Sequence, residues 1–199
     1  MSEAAAAPQL APEDEARAAF YALIARLFYT APDSAVLAQI VDARALEGGS
    51  ELARAWAELV AASRSAFPVM LEQEHTDLFV GTGKAEVTPY VTHYTIKFAT
   101  DNPLVEVRQQ LKRWGMARRD SANEPEDHIA SLCETMRFAI AVQHRSDDEQ
   151  KEFFERFIYR GAIAFCDAVS ASPKAGFYRL VACFARAFFE LEREAFRML

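Results

Sequence analysis

Three carboxylates, a proline and an imidazole fall together at Glu124-Pro125-Glu126-Asp127-His128. Carboxylates at that density can pair with guanidinium groups, share protons with a histidine, or stabilise the positive end of a helix. Pro125 fits a first helical turn, where its missing N–H costs nothing. The apolar spacing Ile129, Leu132, Met136 and Ile140 then marks one face of the following helix as core. The polar group therefore stands at the margin of a buried helix, where it lines something.

Other chemistries leave weaker traces. Glu72-x-x-His75 has the spacing by which helical di-iron bundles place a carboxylate and an imidazole on one face, but it has no second copy. It reads as a solvated helix face. Gly81-Thr82-Gly83-Lys84 fails as a phosphate loop, because Leu78 stands where the first glycine belongs and Ala85 where Ser or Thr must follow the lysine. No Gly-x-Ser-x-Gly occurs. Cys133, Cys166 and Cys183 form no CxxC pair and lie in apolar helical patterns, which reads as core cysteines in a reducing compartment. Arg118-Arg119 lies mid-chain with no apolar run behind it, so it reads as a surface pair.

The elements that must position these residues are helices. Phe20, Leu23, Ile24, Leu27 and Phe28 make one stripe after the start signal Pro12-Glu13-Asp14 and before the stop at Ala31-Pro32. A helix opening at Asp33-Ser34 is expected to end at Gly48-Gly49, another to open at Ser50, and a third to run from Pro68 to Phe79. Val80 to Thr100 is the least regular stretch, a long aromatic loop of the kind that often carries function. Asn102-Pro103 caps a helix that stops at Gly115, and Ser146 with Glu149 forms a capping box. Two Phe-rich helices follow, the last with the stripe Phe177, Leu180, Val181, Phe184, Phe188 and Leu191. The fold class is all-α: a single globular domain of about eight or more helices over residues 12–199, behind a flexible tail at 1–11, with a hinge at 117–124.

With 199 residues, 51% of them hydrophobic, and 15 Phe against 7 Gly, the chain can bury a full core without metal or disulfide. Its net charge of −7 makes nucleic acid and anionic membranes poor partners and a cationic peptide or protein a better one. No run approaches the roughly 18 apolar residues of a membrane span, and the Ala-rich start lacks the basic and apolar regions of a secretory leader. A cytoplasmic location is expected.

Taken together, three stretches resemble the TorD/DmsD/NarJ family of chaperones for molybdenum-containing redox enzymes. They are Tyr21 to Phe28; Glu74-His75-Thr76-Asp77-Leu78-Phe79-Val80-Gly81 with Pro89-Tyr90-Val91-Thr92-His93-Tyr94; and Glu124 to His128, similar to that family's E-P-x-D-H signature. Val107-Arg108 and Gly115-Met116 match the helix between them. His75 stands where the family usually has an aromatic residue, and Thr92 where Ser is commoner. The resemblance implies a TorD-like helical fold without catalysis or cofactor, bound to the twin-arginine leader or apo form of a molybdoenzyme subunit, as a monomer or a domain-swapped dimer.

Bottom-up chemistry is compatible with that role. Two adjacent arginines followed by an apolar segment need acid beside flat apolar area. Glu124, Glu126 and Asp127 offer the first; Tyr90, Tyr94, Phe79 and Trp114 the second. The expected peptide-binding set is Glu124, Pro125, Asp127, His128, Tyr90, Tyr94, Phe79, Trp114 and Arg108, with no catalytic or metal-binding residue. Asp127 and His128 have an equally good alternative role, bracing the Tyr90 loop from inside. Competing readings are a helical metal- or nucleotide-dependent enzyme and an adaptor for another basic partner.

Overall fold

The computed structural model describes residues 10–81, 85–98, 102–117 and 124–199. Most of the 1–11 tail, the Gly83-Lys84 pair, and the 117–124 hinge with its Arg118-Arg119 lie largely or wholly outside them. Among the described residues nine α-helices form. They are α1 (Pro12–Tyr29), α2 (Ser34–Asp42), α3 (Glu51–Ser63), α4 (Pro68–His75), α5 (Pro103–Arg113), α6 (Ile129–Ala141), α7 (Asp147–Phe153), α8 (Arg160–Ala171) and α9 (Phe177–Arg197). None is long and apolar enough to cross a membrane. A π-helical turn, Thr76–Val80, extends α4; another, Phe154–Tyr159, joins α7 to α8; and a 3₁₀ turn, Val91–Tyr94, ends the aromatic loop.

Local signals explain most boundaries. Pro12, Pro68 and Pro103 each open a helix, and Asp33 and Ser50 cap α2 and α3 with side-chain oxygens. The Ser146–Glu149 capping box is formed. Gly115, at φ +67°, ends α5 in a Schellman turn, with the Met116 N–H donating to the Leu111 carbonyl at 2.9 Å and the Gly115 N–H to that of Lys112 at 3.1 Å. Asn102 makes no side-chain cap, so Pro103 alone sets that start.

Other boundaries and exposures depart from the sequence reading. Helix α2 ends at Asp42, well before Gly48, because the Trp56 indole donates to the Arg44 carbonyl at 3.2 Å and the next segment runs extended. Cys133 and Cys166 are buried as expected, but Cys183 lies on the outer face of α9 and is exposed. Leu191 also faces out; Phe189 and Glu192 take the inward register instead.

Helices α1 and α6 pack along their lengths, while α9 lies across α3 and α8. Edge-on aromatic pairs join the layers, with Phe28 on Phe165 at 4.9 Å and Tyr21 on Phe188 at 4.9 Å between ring centres. Arg17 closes the far end of α1 onto α9 by a two-bond contact with Glu192 at 2.8 and 3.0 Å, and the Tyr21 hydroxyl donates to the same carboxylate at 2.9 Å. Glu74 of α4 accepts from the N–H groups of Gly176, Phe177 and Tyr178 at 2.8, 3.2 and 2.8 Å, capping α9 from 102 to 104 residues away.

The 3₁₀ turn reaches its place by lying on α8 at Gly161. A Cβ there would stand 2.4 Å from Val91 Cγ1 and 2.5 Å from the Val91 carbonyl oxygen. Helix propensity alone favours alanine over glycine by about 1 kcal/mol. Gly161→Ala should nonetheless destabilise the protein by roughly 1–3 kcal/mol through overpacking, read from urea unfolding. A companion Val91→Ala should recover only part of that, since the carbonyl clash remains.

Candidate functional site

The 3₁₀ turn presents its backbone to the acidic motif. The Val91 N–H donates to the Asp127 carbonyl and the Ile129 N–H to the Pro89 carbonyl, both at 2.9 Å, an antiparallel bridge centred on Tyr90 and His128. The side chains then satisfy one another across it. Asp127 accepts a hydrogen bond from the Thr92 hydroxyl, and Glu124 accepts from the Tyr90 hydroxyl at 3.0 Å. The Tyr94 hydroxyl donates to the Thr88 carbonyl at 2.9 Å, closing the loop on itself. Pro125 turns the chain, its carbonyl accepting from the His128 N–H at 3.2 Å.

His128 is the N-cap of α6. Its Nδ1 accepts from the Ala130 N–H at 3.1 Å, so the ring proton of the neutral form sits on Nε2. Both Asp127 and His128 are only 4% exposed, which fits the bracing role better than direct contact with a ligand. Burial pushes His128 down to about 4; the Glu124 charge opposes that, and His75 adds to it. His75 itself is lowered by burial against the pull of the Phe28 carbonyl, which lies 3.4 Å from its Nε2. His75 is thus not on a solvated face. It packs against Phe79 and Tyr178, ring centres at 5.2 and 5.6 Å, while Glu72 is exposed. Among the described residues no group of three or more His, Cys, Asp or Glu could hold a metal ion.

The remaining expected residues divide. Phe79 is core, between Phe28, Phe165 and Tyr178. Trp114 is also buried, its ring on Phe153 at 4.9 Å and under the Arg145 guanidinium, so neither offers flat area to a partner. Tyr90 and Tyr94 are half-buried, their hydroxyls spent on Glu124 and Thr88. Arg108 reaches from α5 to Glu126, Nε to Oε2 at 3.0 Å.

An open groove of about 780 Å³ runs beside this constellation, between α1, the end of α5 and α6. Ala25, Ala130 and Gly115 form small-residue surfaces, with Tyr29, Leu111, Met116 and Phe138 around them. Glu126 lines it, but none of the nine expected residues does. Tyr29 connects the two regions, since its ring centre is 6.4 Å from that of His128. Gly115-Met116, one of the family-like stretches, lies in the groove lining, whereas the stripe Ile129, Leu132, Met136 and Ile140 is core and the groove uses the opposite face of α6. Nothing local marked Tyr29, because its role depends on α1 lying along α6.

Residues 47–167, more than half of the chain, match the family model described as nitrate reductase delta subunit. The chain is 26% identical over 133 residues to the chaperone protein TorD of Photobacterium profundum and 27% identical over 133 residues to that of Aliivibrio fischeri. Each match covers 61% of this chain and 62% of the relative, so the chain spans about 62% of the length of the curated relatives it matches. A solved structure from Archaeoglobus fulgidus, described as a redox enzyme maturation protein, shares the fold with a TM-score of 0.51 at 18% identity, over 93% of this chain and 96% of that one. The architecture is all-helical and shares its fold with that structure. The chain belongs to the nitrate reductase delta-subunit family, the TorD/DmsD/NarJ group of redox-enzyme maturation chaperones.

The buried imidazole makes stability depend on pH with a defined sign. An unfolded histidine titrates near 6.5 and folded His128 near 4, so the unfolded chain takes up its proton first as pH falls. The stability contributed by neutral His128 is complete above about pH 6.5 and is lost down to about pH 4, reaching roughly 3 kcal/mol. Urea unfolding at about pH 7.5 and about pH 5 should show about 2 kcal/mol of this loss. It should shrink in His128→Asn, which keeps a side-chain cap acceptor but no titrating ring. An unchanged pH dependence would assign the loss to His75 and the carboxylates instead.

Proposed function

We propose that this chain is a cytoplasmic maturation chaperone that binds the twin-arginine leader, or the apo form, of a molybdenum oxidoreductase subunit before cofactor insertion is complete. Family membership supports the class of role. The observation that carries the binding mode is the groove between α1, α5 and α6, whose apolar walls carry Glu126 among their lining residues. A cationic segment followed by an apolar helix matches that surface, because the guanidinium pairs with a carboxylate while the apolar part covers Leu111, Met116 and Phe138.

In this reading the residues from Glu124 to His128 act largely as a frame. Pro125 and the Tyr90–His128 bridge set where Glu126 stands. Asp127, His128, Tyr90 and Tyr94 hold the loop that supports it. The chain needs no cofactor for this, and a monomer suffices to form the groove.

The test is calorimetry or fluorescence anisotropy with a synthetic peptide bearing two adjacent arginines followed by about twelve Leu and Ala residues. Binding should weaken as salt rises, as arginine pairing requires. Thr135→Trp, which places a large ring in the groove from an accessible position, should weaken binding at least about tenfold with little loss of stability, about 0.5 kcal/mol. Unchanged affinity in that variant would move the docking site off this groove.

A further inference from the structure

Glu126 and Arg108 form an asymmetric pair. The Glu126 side chain is 15% exposed and the Arg108 side chain 51% exposed. The contact runs through Nε alone, at 3.0 Å, one bond of the two that a guanidinium fork can make with a carboxylate. Opening it needs only that Arg108 swing further into water, where half of its surface already lies; the acid stays where the chain turn at Pro125 holds it. Such pairs are worth little, because the charges are screened and the long side chain loses freedom to make one bond.

The other charges at the groove are engaged differently. Arg26 donates to the Thr30 and Ala31 carbonyls just past its own helix and to Asp33, the cap of α2. Glu134 and Arg137 pair at 2.8 Å as close neighbours on α6. Within the acidic motif, Glu124 accepts from Tyr90 and Asp127 from Thr92. Of the motif's three carboxylates, Glu126 is the one that lines the groove, and the charge it meets there comes from another element, across the groove's edge from α5.

We infer that Arg108 is an internal stand-in for a guest guanidinium: it holds Glu126 until an arginine-bearing apolar peptide docks and displaces it. This rests on the groove being the peptide site. The stand-in keeps Glu126 oriented without a partner and disfavours weak cationic ligands, since a single lysine ammonium cannot offer the planar two-bond fork that would outcompete it.

The test uses the full chain and the same twin-arginine peptide, with a second peptide carrying lysines in place of the arginines. Arg108→Ala should tighten binding of the arginine peptide about three- to tenfold and narrow its advantage over the lysine peptide. Glu126→Gln should weaken it about tenfold or more, and Arg108→Ala combined with Glu126→Gln should match Glu126→Gln alone. Thermal melts should show the exposed Arg108 variant folded. An arginine peptide bound equally or more weakly by Arg108→Ala overturns the stand-in while leaving the groove reading intact. Failure of the unaltered protein and all variants to bind either peptide overturns both.

Discussion

Two backbone hydrogen bonds, from Val91 to Asp127 and from Ile129 to Pro89, hold the start of α6 against the aromatic loop. Both strands of that bridge end in helical turns, so the bridge converts the position of one helix into the position of another. Gly161 admits the loop onto α8 from behind, and the bridge then carries α6 to α1. With α6 fixed in this way, the groove along its outer face has walls that do not depend on a ligand to assemble them. Preorganisation of this kind lowers the ordering cost of binding, the term that most often separates a surface from a site.

The acidic motif shows why clustered carboxylates are a poor guide to where a partner sits. Buried polar groups must be satisfied, and the cheapest partners are those already nearby. Thr92 and Tyr90 are such partners for Asp127 and Glu124, so two of the three acids serve the fold. The rings that looked like contact area met the same fate. Leaving a ring such as Phe79 or Trp114 in water would forgo roughly 2–3 kcal/mol of burial, and each is inside an aromatic cluster.

Helix number and type were legible because capping and periodicity are local. Proline at N1, the Ser146 box and the Gly115 turn act within a few residues and were read directly from the chain. The pairing of Glu124 to His128 with the Tyr90 loop was legible only as a requirement, since the motif needed satisfying and the loop was the irregular segment available. What stayed hidden was carried by contacts between distant residues. The early end of α2 depends on the Trp56 indole, the cap of α9 on Glu74, and the packing of His75 on Tyr178. The same applies to the register of α9, where Leu191 and Phe189 exchange inside and outside because Glu192 must reach Arg17.

The Arg17–Glu192 contact spans 175 residues of chain, and Tyr21 joins it from a span of 171. Helix α1 packs along α6 and is pinned near its start by α9, so its partners lie 100 or more residues downstream and closing those contacts carries a loop-closure cost. While it emerges from the ribosome, α1 therefore has its apolar stripe and one arginine waiting for partners not yet synthesised. The face that α1 turns to α6 and α9 is thus completed only by segments made much later, a cost that a chain with local pairings would not carry.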